Sequence, residues 1–218
     1  MSIADQLKEI QNSIPEHVKL VAVSKTKPVE DIRTLYDVGH RDFGENRVQE
    51  LTEKYGQLPE DIRWHLIGNL QRNKVKYIAE FVHLIHSVDS EKLLNEINKQ
   101  AVKNDRIIDC LLQIRIAEED TKSGMEKEEA QKILNYCKTE YPFVRVKGLM
   151  GMATFTDDME QVRKEFAELK NYFDYFKNHF PELEILSMGM SGDYQMAIEE
   201  GSNLIRVGSL IFGERNYN

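Results

Sequence analysis

The chain has 218 residues, 41% hydrophobic and 30% charged, with a formal net charge of −8. That length fits one domain, residues 1–218, with a substantial core. The spread of negative charge without a basic stripe argues against nucleic acid as a partner. No apolar run is long enough to cross a bilayer, and Met1 to Gln6 lack a basic region followed by a hydrophobic one, so a cytoplasmic protein with no membrane partner is expected. Cys110 falls in an apolar strand and Cys137 in a helix. With no CxxC or Cys/His spacing they are expected to be buried, reduced thiols, with no metal site.

Ile3, Leu7 and Ile10 share one face of an opening helix that Ile14-Pro15 ends. The first strand, residues 20–25, reads Leu-Val-Ala-Val-Ser-Lys and is apolar on both faces, as a central parallel strand is. It closes on Lys25, and Thr26-Lys27-Pro28 breaks it. A lysine at the edge of a buried strand is half desolvated, which destabilises its ammonium and favours a nucleophilic amine able to form a Schiff base. The plainer reading is a lysine that snorkels from a barrel rim to water.

A helix through Ile32, Leu35 and Val38 follows, closed by Gly39, and then a short strand over 41–45. The alternation continues with a helix over 46–55, a strand over 63–68, a helix over 73–81 and a strand over 84–89. Ser90 is placed to cap a helix reaching Val102, and a strand over 107–116 comes next. The second half predicts a helix over 127–141, a strand over 144–150, and a long helix capped by Thr156. In that helix Phe166, Leu169, Phe173, Phe176 and Phe180 follow helical spacing, which reads as core packing. A strand over 184–188, a helix over 194–200 and a strand over 203–207 complete the count. Eight strands alternating with helices predict a (β/α)₈ barrel of the TIM type. A doubly wound open sheet is the alternative, but no GxGxxG follows the first strand. Only residues 211–218 remain after the last strand, too few for an eighth helix, so the N-terminal helix is expected to fill the gap in the outer ring.

In such barrels the site lies at the C-terminal ends of the strands, and phosphate is often held after strands seven and eight. Here those loops read Ser187-Met188-Gly189-Met190-Ser191-Gly192-Asp193 and Arg206-Val207-Gly208-Ser209. Glycine allows close backbone approach, and serine adds a hydroxyl. Either loop alone reads as a tight turn; on neighbouring strands the two form a candidate phosphate cradle.

Ordered motifs then cover nearly the whole chain: Ala22 to Pro28, Phe43-Gly44-Glu45-Asn46, Trp64-His65, His86-Ser87-Val88-Asp89, Lys122-Ser123-Gly124, Gly148-Leu149-Met150, Ser187 to Ser191 and Arg206 to Gly213. Through them the sequence resembles the pyridoxal 5′-phosphate (PLP) homeostasis proteins, small PLP-binding relatives of the alanine racemase barrel domain. The resemblance implies that Lys25 carries the cofactor as a Schiff base, with Lys27 the local competitor. It also implies that Ser191, Gly192, Gly208 and Ser209 hold the phosphate, that Arg206 faces the pyridine nitrogen, and that Asn46, His65 and Met150 line the wall. Ser209 stands where threonine is commoner, a change that keeps the hydroxyl.

An arginine at the ring nitrogen seldom gives up a proton, so the ring would stay a weak electron sink. Racemase barrels add a C-terminal β-domain that closes the site, and this sequence ends soon after its last strand. The expectation is therefore a monomeric carrier that stores, buffers or delivers PLP, with apo PLP-dependent enzymes as candidate recipients, little or no turnover and no catalytic residues assigned. The alternative is a PLP-dependent racemase with one visible base, to which His65 or Tyr194 could add a second. A third reading is a barrel enzyme using Lys25 against the carbonyl of a phosphorylated sugar.

Overall fold

The computed structural model describes residues 1–118 and 123–213. Its elements run in chain order α1 (Ile3–Ser13), β1 (Lys19–Val23), α2 (Val29–Asp37), β2 (Asp42–Glu45), α3 (Val48–Tyr55), β3 (Arg63–Leu66), a 3₁₀ helix (Arg72–Tyr77) and β4 (Leu84–Val88). They continue with α4 (Glu91–Lys103), β5 (Ile108–Gln113), α5 (Lys127–Glu140), β6 (Val144–Met150), α6 (Met159–Lys177), β7 (Ile185–Ser187), α7 (Tyr194–Glu199), β8 (Leu204–Val207) and α8 (Ser209–Phe212). The strands close into one parallel barrel in sequence order, with β8 pairing back onto β1 through Lys19↔Leu204 to Ala22↔Val207. This is the expected (β/α)₈ architecture. None of the described helices is long and apolar enough to cross a membrane.

Some details differ from expectation. Ser90 precedes α4, but its hydroxyl bonds Asp89 and no helix N–H, and Phe180 lies past the end of α6. The predicted helix over 73–81 is a 3₁₀ helix starting at Arg72, because Lys74, Ile78 and Phe81 donate to carbonyls three residues back, which puts Val75 and Ile78 on one buried line. The cap of α6 is Asp158, whose carboxylate accepts from the N–H groups of Glu160 and Gln161, while Thr156 only receives the Asp158 N–H. A charged acceptor two residues nearer the helix outcompetes the hydroxyl.

Two regions share the core. Outside the strands, helices bury their apolar faces on the barrel, including the stripe Phe166, Leu169, Phe173 and Phe176 of α6. Inside, Val21, Leu84, Leu111, Met150 and Leu204 form a compact apolar cluster. Gly148 lets β6 and β7 close on each other, since a Cβ there would lie 1.8 Å from the Ile185 carbonyl oxygen. Both cysteines are free and buried.

A capping box between Ser2 and Asp5 starts α1, and Leu7 and Ile10 bury its inner face. The helix packs against both α2 and α8 and so fills the place in the outer ring that the four-residue α8 leaves open. Leu7 is 1% exposed, so Leu7→Ala should cost about 2–5 kcal/mol in denaturant unfolding. A loss below about 1 kcal/mol would mean that α1 is not part of the cooperative fold.

Candidate functional site

At the C-terminal ends of the strands the barrel opens into a cavity of about 670 Å³. Val21, Val23 and Lys25 alternate inward along one row, from the apolar interior to the cavity wall. The strand proper ends at Val23, and Lys25 occupies a turn closed by the Lys27 N–H to the Ser24 carbonyl at 3.0 Å. Thr26 sits in that turn at φ +64, a left-handed conformation that a β-branched residue rarely adopts. Its N–H is held by Glu50 Oε1 at 2.5 Å.

That contact belongs to a buried cluster. Lys54 of α3 donates to the Ser24 carbonyl at 2.7 Å, to Glu45 Oε1 at 2.8 Å and to Glu50 Oε1 at 2.6 Å, and Ser24 Oγ adds a 2.6 Å bond to Glu45. Competing with Lys25 for a reactive role is Lys27, which also lines the cavity but donates to the Phe212 carbonyl at 2.9 Å.

On the adjoining wall, next to β1, the loops after β7 and β8 meet. Gly208 N–H donates to Ser191 Oγ at 3.2 Å, and Arg206 N–H to the Gly189 carbonyl at 3.0 Å. Ser191, Gly192, Gly208 and Ser209 all line the cavity, and the N–H groups of Gly192 and Ser209 have no acceptor among the described residues. Arg206 lies on the floor, 4% exposed, with one bond to Ser187 Oγ and one to the Gly151 carbonyl. Burial lowers its guanidinium to about 10, with Asp193 opposing, so it remains a cation at neutral pH. No carboxylate of the described residues lies within hydrogen-bond distance of it. An acceptor in the cavity would therefore meet a strong, underused donor.

Asn46 also lines the cavity, beside Gly68, where a Cβ would lie 2.4 Å from the Asn46 carbonyl oxygen. Two expected wall residues do not reach it. His65 is buried in the barrel interior against His86 and Asp42, and Met150 belongs to the interior apolar cluster; Ile67 and Met152, two positions further along the same strands' paths, line the cavity instead. Tyr194 packs into the helical core and does not line the cavity. Gln113 and Ser123 were not singled out as wall residues, yet both line it, joined by a 2.7 Å bond from Gln113 Nε2 to the Ser123 carbonyl. A polar side chain ending the apolar run of β5 was the available signal. Lys122 of the same motif lies outside the described residues.

Residues 1–216 match the family model for the alanine racemase N-terminal domain. The chain is 44% identical over 201 residues to a pyridoxal phosphate homeostasis protein of Aquifex aeolicus, covering 91% of this chain and 88% of that one. A protein of the same name from Pasteurella multocida is 38% identical, with both chains covered in full. The chain belongs to this family. Among solved structures, PipY of Synechococcus elongatus with PLP bound superposes with a TM-score of 0.89 at 34% identity, covering 97% of this chain and 100% of PipY. An alanine racemase of Clostridium difficile shares the fold at 15% identity, TM-score 0.83, and the match covers 100% of this chain and 58% of the racemase.

Burial pushes the Glu45 carboxyl up to about 7, against the pull of Lys54 and Ser24. Between about 4.5 and 7 the folded protein keeps a proton that the unfolded chain has released, so stability from this group is full below that window and is lost as pH rises through it. Denaturant midpoints of Glu45→Gln should lack that fall. The same slope in both proteins would place the titration elsewhere.

Proposed function

We propose that this chain binds pyridoxal 5′-phosphate in the cavity at the C-terminal ends of the strands and serves PLP homeostasis in the cytoplasm as a carrier, storing or delivering the cofactor to apo PLP-dependent enzymes. The observation that carries this is the convergence of three different groups on one cavity: an amine, an anion cradle and a buried cation. Lys25 supplies the amine. Ser191 and Ser209, with the N–H groups of Gly192 and Ser209, supply donors for a phosphate. Arg206 supplies a donor for a ring nitrogen. Each part of PLP thus finds a chemically suited partner among residues already in place, and the name and bound ligand of the relatives agree with that fit.

When bound, the cofactor supplies an aldehyde that condenses with a lysine amine. Lys25 is the residue we assign to that bond, because it continues the inward row of Val21 and Val23 to the cavity wall, whereas Lys27 lies past the turn. Arg206 remains a cation near neutral pH and so offers a hydrogen bond rather than a transferable proton. Neither His65 nor Tyr194 faces the cavity, so neither furnishes an acid or base on the side opposite Lys25. Racemisation needs both.

Purified protein should therefore be yellow, Lys25→Ala should lose the visible band while staying folded, and Lys27→Ala should keep it. A band that survives in Lys25→Ala would move the attachment point. Ser191→Ala and Ser209→Ala should each weaken PLP binding by about 1–3 kcal/mol, read by equilibrium dialysis, and pyridoxal without phosphate should bind less tightly than PLP. In deuterated water, α-proton exchange of L- and D-amino acids should run no faster than with free PLP, alongside measurable transfer to an apo-enzyme. Exchange at enzymatic rates would establish turnover and end the carrier reading.

A further inference from the structure

One column of polar side chains crosses the barrel interior beside the apolar cluster. From the cavity downward, Arg206 Nη1 lies 2.5 Å from Ser187 Oγ, Ser187 Oγ 3.2 Å from His86 Nδ1, His86 Nε2 2.9 Å from His65 Nδ1, and His65 Nε2 3.0 Å from Asp42 Oδ1. Arg63 closes the far end with bonds of 2.8 and 2.5 Å to the two Asp42 oxygens. Ser187, His86 and His65 are buried, whereas Asp42 and Arg63 open β2 and β3 at the N-terminal mouth, with the Arg63 side chain 47% exposed. Asp42, His65 and His83 also bring three possible ligand atoms within 4.8 Å of one another. Arg63 already occupies both carboxylate oxygens, so this cluster reads as the end of a hydrogen-bond chain and not as a metal centre.

With both rings neutral, the two ends fix the direction of every bond between them. Arginine has only donors, and an ionised carboxylate only acceptors. Burial works against the Asp42 charge, yet the bonds from Arg63 and His65 hold its carboxyl well below the usual range. Burial also holds His86 far below the ordinary imidazole value, and the Arg206 charge acts in the same direction. Arg206 therefore donates to Ser187 Oγ, and the serine proton goes to His86 Nδ1. His86 carries its own proton on Nε2 and donates to His65 Nδ1; His65, also protonated on Nε2, donates to Asp42. With both rings neutral, any other assignment leaves two protons, or none, between facing atoms.

We propose that Asp42, His65, His86 and Ser187 are positioning residues, forming a one-way relay that holds Arg206 as a donor into the cavity and ties its orientation to the opposite mouth of the barrel. Among the described residues Arg206 has no carboxylate at hydrogen-bond distance; Asp193 acts on it through space, and the polarised chain is its hydrogen-bonded route to a negative charge. Bonds aligned head to tail strengthen one another, which is how Asp42 acts on a guanidinium it does not touch. That Arg206 meets a ring nitrogen rests on the cofactor reading above; the direction of the relay does not.

Nitrogen NMR of isotope-labelled histidines in the ligand-free protein at neutral pH should show His65 and His86 both neutral, each with its proton on Nε2. A proton on Nδ1 of either ring, or a doubly protonated His65, overturns the relay. The second arm is a cycle of PLP affinities. Asp42→Ala should weaken binding about fivefold, but less than about twofold when Ser187→Ala has already cut the chain. Equal losses in both backgrounds, or none in either, would mean that the column packs the barrel without acting on Arg206. If the unmodified protein takes up no PLP, the cofactor reading fails, and the histidine tautomers alone decide the relay.

Discussion

The Lys54 ammonium has three N–H groups, and each meets an acceptor from a different place: the carbonyl at the end of β1, the carboxylate at the end of β2, and Glu50 one turn earlier in α3. The cavity wall bearing Lys25 depends on this junction. Through Glu50 it reaches the Thr26 N–H and holds a turn whose left-handed backbone would otherwise relax. The same junction keeps Glu45 buried, at the expense of a carboxyl whose Oε2 has no partner among the described residues. An arginine in place of Lys54 would present a flat fork where three acceptors surround a point charge. Position 54 therefore asks for lysine on geometry as well as charge.

Much of the fold was legible because each strand is a short apolar run and each helix carries one apolar face. The breaks between them are also marked, by Pro28, Gly39, Gly56 and Pro142. Local competition was harder to read. Thr156 and Asp158 both cap helices well, and their order of strength depended on which oxygen the chain brought nearer to the free N–H groups.

The site was legible by face but not by depth. The resemblance put His65 and Met150 at the wall, and the structure has both on the inward side, the side that Ile67 and Met152 share, but one layer below the cavity. Which of two inward layers reaches the cavity depends on how far each strand is staggered in the closed barrel, and a single strand's pattern does not encode that stagger. Lys25, Arg206 and the loop residues escaped this ambiguity because they stand at strand ends. The polar column was hidden for the same reason: His65, His86, Ser187 and Arg206 come from four strands, and only closure brings them into line.

The barrel is sealed along β1 and β8, the first and last strands to leave the ribosome. Until residues 204–207 are made, β1 has an unpaired edge, and α1 lacks one of the two helices it finally rests on. An edge left open through most of synthesis is a liability for aggregation. With the site residues proposed above it is also a safeguard, because Lys25 follows β1 while Arg206 and Ser209 belong to β8 and α8. On that proposal the nascent chain can offer an amine to an aldehyde, but it has no place to retain one until translation of the barrel is nearly over.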